Sequence, residues 1–235
     1  MKKTDLIDVV NDIELFLKRA PNFIRYKNMF LDLHNIINFN LFFSKLKKTY
    51  FKNKTDESIL NELKSAYDLK NICGFSVFFM PDKDLNEKNT TKKGTYMIFN
   101  MPENVQTKDL IKIKKPDILA LFKGKPIYVE IKTIHNSIKK LESILAKINE
   151  ASEQIKPFGK GFIHLFFQTP SDYLISNLDE LKEKILVNMI EQNYLGGVMI
   201  TFYDLEIDEQ ISTKHRRRVY KQKTNCIMNT NFKNE

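Results

Sequence analysis

The chain has 235 residues, of which 42% are hydrophobic and 11% aromatic, enough apolar surface for one sizeable core or two small ones. Its formal net charge of +9 favours polyanionic partners such as nucleic acid or an anionic membrane face. The two cysteines, Cys73 and Cys226, lie far apart without a CxxC pairing, which argues against both a disulfide framework and a zinc cluster.

The N-terminal sequence MKKTDLIDVVNDIELF does not predict a secretory signal. Its lysines resemble a signal's charged start, but Asp5, Asp8 and Asp12 interrupt what would have to be the apolar region. No stretch of the sequence approaches the length needed to span a bilayer. We therefore expect a soluble, cytoplasmic protein with no membrane partner.

The first fifty residues predict two or three helices. Apolar residues recur at helical spacing until Pro21, and a second helical stretch runs on to Phe42. Polar residues 52–58 separate this part from a further amphipathic helix that begins near Ile59 and ends near Lys70. We expect an N-terminal helical region over residues 1–52.

Strands and helices then alternate. CGFSVFFM predicts an aromatic-rich strand, DKDLNEKNTTKKG a loop, and TYMIFNM, DILALF and IYVEIK three more strands. The segment from Asn136 to Ile155 has a helical apolar face and is followed by the strand FIHLFFQ, the helix DELKEKILVNMIEQ and a closing strand, VMITFYDL. This order predicts an α/β fold in which helices flank a mixed central sheet, with a core at 53–208 and a basic tail at 209–235.

The segment KKPDILALFKGKPIYVEIKTI at 114–134 places ionisable residues inside apolar runs. Because side chains alternate along a strand, Glu130 and Lys132 share one face of the second run. A two-residue loop at Lys123 and Gly124 would set Asp117 opposite Glu130, at roughly 4.5 to 5.5 Å between Cβ atoms. A four-residue loop would instead set Asp117 opposite Lys132, and a three-residue loop would spoil the pairing.

These residues resemble the signature of the PD-(D/E)xK nuclease superfamily, which has Pro-Asp at the start of one strand and Glu-x-Lys within the next. The sequence supplies Pro116-Asp117 and Glu130-Ile131-Lys132, and about 150 residues around them follow the expected order of elements. The resemblance implies a restriction-endonuclease-like fold with an N-terminal helical extension. It also implies a metal-dependent nuclease, a hydrolase of phosphodiester bonds.

The resemblance implies a role for each of these residues. Asp117 and Glu130 would bind Mg²⁺, for which Mn²⁺ is a substitute, and the main-chain carbonyl of Ile131 would be a further ligand. Lys132 would orient or activate the attacking water, or balance the charge on phosphorus.

Two further site residues are suggested by relatives of this kind. Many add an acid from the helix before the sheet, and Glu62 is the candidate because it sits at the edge of the apolar face. Some present a glutamine from the helix after the Glu-x-Lys strand, and Gln154 is the candidate for that role. For both residues the alternative is an exposed position on the flank of a helix.

Basic residues are concentrated in TKHRRRVYKQK at 213–223 and suit contact with phosphates. The candidates for nucleic-acid binding are Lys214, Arg216, Arg217, Arg218 and Lys221. The alternative is a solvated tail without a partner. No phosphate-binding loop of the G-x-x-x-x-G-K-[ST] type occurs, which argues against ATP-driven action by this chain.

Three functions follow as expectations. The first is a Mg²⁺-dependent DNA endonuclease of the restriction or genome-defence kind, for which cutting both strands would favour a homodimer with paired sites. The second is an RNA-cutting toxin or viral-type endonuclease. The third is a nucleic-acid-binding module that keeps the fold without the chemistry.

The basic run generates a first prediction. Replacing Arg216, Arg217 and Arg218 with alanine should reduce the steepness with which nucleic-acid affinity falls as salt rises, because fewer phosphates would be neutralised. The measurement is the apparent dissociation constant over a series of salt concentrations. An unchanged slope would remove these arginines from the binding surface.

Overall fold

The computed structural model describes residues 3–53, 58–79, 116–134, 140–192, 194–207, 218–230 and 232. These residues form a mixed α/β fold with a six-stranded mixed sheet flanked by helices, as the order of elements predicts. The strands follow one another across the sheet in chain order, β1 to β6. The chain divides into two compact units, Met1–Tyr128 and Val129–Glu235. The predicted strand TYMIFNM and the loop before it lie outside the described residues.

The first unit contains four α-helices and two strands among its described residues, and the third strand begins in it. The elements are α1 (Lys3–Arg19), a 3-10 helix (Pro21–Tyr26), α2 (Lys27–Leu33), α3 (Phe39–Asn53), α4 (Ser58–Asn71), β1 (Ser76–Phe79), β2 (Ile118–Phe122) and the start of β3 (Lys125–Ile134). Strand β1 runs antiparallel to β2. Pro21 follows the end of α1, as expected of a residue that tolerates the first turn of a helix but not its interior.

Aromatic side chains form the core of this unit. Phe42 on α3 stacks on Phe79 of β1 with ring centroids 4.1 Å apart, and Phe16 makes edge contacts with Phe30 and Phe43. Asn38, just before α3, has a φ of 66° and donates a hydrogen bond from Nδ2 to the carbonyl of Phe79 at 2.8 Å. The N-terminal helices are therefore joined to β1 by packing and by a hydrogen bond.

The second unit contains most of β3 and the remaining helices and strands. Its elements are α5 (Leu141–Ile155), a 3-10 helix (Lys156–Phe158), β4 (Gly161–Phe167), α6 (Asp172–Ser176), α7 (Leu178–Glu191), β5 (Leu195–Ile207) and β6 (Arg218–Met228). Strand β4 is parallel to β5 and wholly buried, which explains its nearly continuous apolar sequence. The predicted helix from Asn136 begins at Leu141 in the structure, and residues 135–139 lie outside the described part.

The sheet does not close at VMITFYDL. A sixth strand, β6, pairs antiparallel with β5 over Arg218–Met228, within the segment that the sequence suggests is a tail. Polar side chains connect β4, β5 and β6. His164 Nε2 on β4 lies 2.8 Å from Thr201 Oγ1 on β5, and Thr201 Oγ1 lies 2.8 Å from Thr224 Oγ1 on β6. Across the described residues, no helix is both long enough and apolar enough to cross a membrane.

The loop between β2 and β3 has two residues, Lys123 and Gly124, which is the shorter of the alternatives that allow pairing. Their φ values are 49° and 79°, so both residues lie in the left-handed region, as a type I′ hairpin turn requires. A Cβ added at Gly124 would meet no atom within 4 Å. Glycine is therefore favoured at this position by the backbone conformation and not by lack of space.

Replacing Gly124 with alanine should lower the free energy of unfolding by about 1 kcal/mol, because alanine is strained at positive φ. The measurement is urea unfolding followed by circular dichroism. Lys123→Asn is the matched control in the same turn and should leave stability unchanged or slightly higher, because Asn-Gly is a preferred I′ pair. Equal effects of the two substitutions would contradict this account of the turn.

Candidate active site

Strand β3 places a carboxylate and an ammonium group side by side in the interior. The Glu130 side chain is only 1% exposed and that of Lys132 is 12% exposed. The two residues are separated by one position, so the alternation of the strand brings them to the same face. Lys132 Nζ lies 3.2 Å from Glu130 Oε1. The lysine thus supplies a positive charge that a buried carboxylate requires.

Helix α5 supplies two more oxygen atoms to the same lysine. Lys132 Nζ donates to Gln154 Oε1 at 3.0 Å and to Glu150 Oε1 at 3.3 Å. Glu150 and Gln154 are four residues apart, so they occupy neighbouring positions on one side of the helix. The buried residues of α5, which include Ile148, Ala151 and Ile155, hold this helix in place.

Glu150 is held from its other side by Lys147. Lys147 Nζ donates to Glu150 Oε2 at 2.6 Å, while Glu150 Oε1 faces Lys132. The hydrogen bond from Lys147, followed by that from Lys132, holds the pKa of Glu150 below its ordinary value. Because its pKa is lowered, Glu150, which is about half exposed, is ionised at neutral pH. The acceptor that it offers to Lys132 is anionic.

Tyr128 also belongs to β3, two residues before Glu130, and its side chain is buried. Burial raises the pKa of Tyr128 to about 12. The phenol is therefore protonated at neutral pH, where it acts as a neutral polar group and not as a base.

The structure brings three of the predicted site residues together, namely Glu130, Lys132 and Gln154. Asp117 directly precedes β2 and is partly buried in the unit Met1–Tyr128. Glu62, on α4 in that same unit, has a carboxylate oxygen 3.1 Å from Lys45 Nζ. Ile131, the predicted carbonyl ligand, lies between Glu130 and Lys132 on β3.

The predicted nucleic-acid contacts are described only in part. Lys214, Arg216 and Arg217 lie outside the described residues. Arg218 begins β6, and Lys221 is exposed farther along the same strand. The basic run therefore continues into an edge strand of the sheet.

Glu150 is the site residue that the sequence does not identify. Its spacing of four residues from Gln154 is a usable signal, because a helix that presents Gln154 to Lys132 presents Glu150 on the same side. The signal is weak without coordinates, since acidic residues at such spacing are common on exposed helix faces.

The metal ligands predicted from the sequence are the carboxylates of Asp117 and Glu130 and the main-chain carbonyl of Ile131. Oxygen ligands of this kind are those that Mg²⁺ prefers, and Mg²⁺ needs few of them because it retains water. In the part of the chain that the structure describes, no group of three or more His, Cys, Asp or Glu side chains is arranged to hold a metal.

Comparison with known proteins finds no matching family model, no matching curated protein and no matching solved structure. The polar side chains Glu130, Lys132, Glu150 and Gln154 form one connected group, called here the β3–α5 cluster.

Removing the ammonium from the β3–α5 cluster should destabilise the fold. Lys132→Met should lower the free energy of unfolding by about 3 kcal/mol, because it takes a charged partner from a buried carboxylate. Lys147→Met is the matched control, since Lys147 binds Glu150 at the surface, and it should cost less than about 1 kcal/mol. Chemical denaturation of both variants tests the difference, and equal losses would contradict a buried role for the Glu130–Lys132 pair.

Proposed function

We propose that the protein is a Mg²⁺-dependent nuclease with a restriction-endonuclease-like fold, and that its substrate is DNA cut internally, as in restriction or genome defence. The observation that carries the proposal is the buried Glu130 carboxylate 3.2 Å from the Lys132 ammonium on one face of β3. These are the Glu and Lys of the motif that resembles the PD-(D/E)xK superfamily, and the six-stranded mixed sheet is compatible with such a core.

The loop between β2 and β3 supports the inclusion of Asp117. A loop of two residues is the alternative for which counting along the hairpin sets Asp117 opposite Glu130. Under this proposal Asp117 and Glu130 would hold the cation, together with the main-chain carbonyl of Ile131. When bound, Mg²⁺ would polarise the phosphodiester and lower the pKa of a bound water.

The remaining residues position charge and water. Under this proposal the Lys132 ammonium would orient the attacking water, or stabilise negative charge that develops on the phosphate oxygens. Gln154 fixes the direction of the Lys132 side chain through the 3.0 Å hydrogen bond. Glu62 remains a candidate for a further acid from α4.

Strand β6 supports a polyanionic substrate. Lys221 and Lys223 are both exposed and, being two residues apart, lie on the same face of the strand. Lys223 is paired with Asp204 of β5 at 2.7 Å. Under this proposal the lysines would contact phosphates, in keeping with the net charge of +9, to which the arginines at 216–218 of the sequence also contribute.

Cleavage assays test the proposal directly. Purified protein is incubated with plasmid DNA, single-stranded DNA and tRNA, with Mg²⁺, Mn²⁺ or chelator, beside Asp117→Ala, Glu130→Gln and Lys132→Ala. Metal-dependent DNA cleavage is expected for the wild type, with losses of at least about 100-fold in each variant, because each removes a cation ligand or the group that positions water.

Lys182→Ala is the matched control, because Lys182 pairs with Asp179 on the exposed side of α7, and it should retain full activity. Circular dichroism must show each variant folded at the assay temperature. Cleavage of tRNA alone would favour an RNA-cutting enzyme. Binding without cleavage of any polymer would favour the non-catalytic module, and activity retained in Glu130→Gln would exclude the proposed site.

A further inference from the structure

The Lys132 ammonium is shared among three oxygens that come from two different elements. Glu130 Oε1 on β3 lies 3.2 Å from Lys132 Nζ, while Glu150 Oε1 and Gln154 Oε1 on α5 lie at 3.3 and 3.0 Å. An ammonium group has three N–H donors, so the number of acceptors matches the number of donors. Lys132 can therefore lose its partner on β3 and retain two partners on α5.

A divalent cation on Glu130 would compete with this ammonium. Lys132 lies beside the carboxylate that the proposed function assigns to the cation, and both side chains are largely buried. Two positive groups this close repel each other strongly where water screens them little. The cation and the ammonium cannot both keep full contact with Glu130 without that cost.

We propose that Lys132 changes partners when a divalent cation binds: its ammonium leaves Glu130 and is retained by Glu150 and Gln154. Glu150 is then a positioning residue, which acts through Lys132 and does not touch the cation. This inference rests on the proposed function, because it requires a cation at Glu130.

The geometry of Glu150 suits such a role. Lys147 holds Oε2 of Glu150 at 2.6 Å, which leaves Oε1 directed to Lys132. Gln154 is neutral and cannot replace the negative charge that Lys132 gives up on leaving Glu130. Glu150 can replace it, so its charge should make cation binding easier.

A double-mutant cycle tests this coupling by calorimetric titration with Mn²⁺. The proteins are the wild type, Glu150→Gln, Lys132→Met and the double variant. Glu150→Gln should weaken Mn²⁺ binding about fivefold when Lys132 is present, and should have no effect when Lys132 is methionine. Glu153→Gln, an exposed carboxylate on the same helix that pairs with Lys156, is the matched control and should leave the affinity unchanged.

The outcomes separate this inference from the proposed function. Equal weakening by Glu150→Gln with and without Lys132 would mean that Glu150 acts only as a distant charge, and would overturn the partner exchange while leaving the cation site intact. No Mn²⁺ binding by the folded wild type would overturn the cation site, and the partner exchange with it.

A second measurement covers the case in which Lys132→Met does not fold. The side-chain ammonium signal of Lys132 can be followed by NMR in protein labelled with ¹⁵N-lysine and identified by its loss in Lys132→Arg. On addition of Mg²⁺ the signal should shift and persist in the wild type, but disappear in Glu150→Gln, where the released ammonium exchanges with water. The same response in both proteins would overturn the partner exchange.

Discussion

The buried carboxylate of Glu130 is the constraint on which the rest of the site depends. An ionised group with 1% exposure is stable in a protein interior only with a positive or strongly hydrogen-bonding partner. Lys132 meets that need from the same face of β3, two residues along. Lys132 is itself mostly buried, so its remaining donors need acceptors as well. Helix α5 supplies them through Glu150 and Gln154.

The position of α5 therefore matters for the site as much as the strand does. Its apolar side, which includes Ile144, Ile148 and Ile155, is fully buried. At its C-terminal end the helix comes so close to β4 that a Cβ on Gly161 would lie 2.0 Å from Cγ2 of Ile155. Glycine at 161 permits this approach. Gln154 directly precedes Ile155 in the last turn of α5. Packing at the helix end thus helps to fix the direction from which Gln154 reaches Lys132.

Much of this arrangement could be predicted from the sequence. The alternation in IYVEIK correctly places Glu130 and Lys132 on one face, because a strand has a fixed period of two. Apolar residues recur at helical spacing in α4, α5 and α7 because one face of each helix is buried, and this spacing predicts the three helices. The mixed α/β class with its central sheet is confirmed. These features depend on local spacing, which a sequence displays directly.

Strand β6 and the contact of Glu150 with Lys132 could not be predicted, for physical reasons. Much of β6 reads KQKTNCIM, in which charged and amide side chains outnumber apolar ones. Its pairing depends on the backbone of β5 and on the Thr201–Thr224 contact, neither of which produces apolar alternation. The contact between Glu150 and Lys132 depends on how closely α5 approaches β3. Contacts between elements distant in sequence have no local signature.

Stability alone does not explain why β3 contains charged residues. A buried ion pair gains little over well-packed apolar residues of similar volume, and replacing such a pair is often neutral or stabilising, whereas removing one partner is costly. Tyr128 and Ile134, which share the face of the pair by strand alternation, are both buried, so this face of β3 accepts large, mainly apolar side chains. A strand selected only for packing would therefore favour such residues at 130 and 132 as well. Ionisable groups at these two positions are better explained by a requirement for charge, and the proposed binding of a cation beside a phosphate would impose such a requirement.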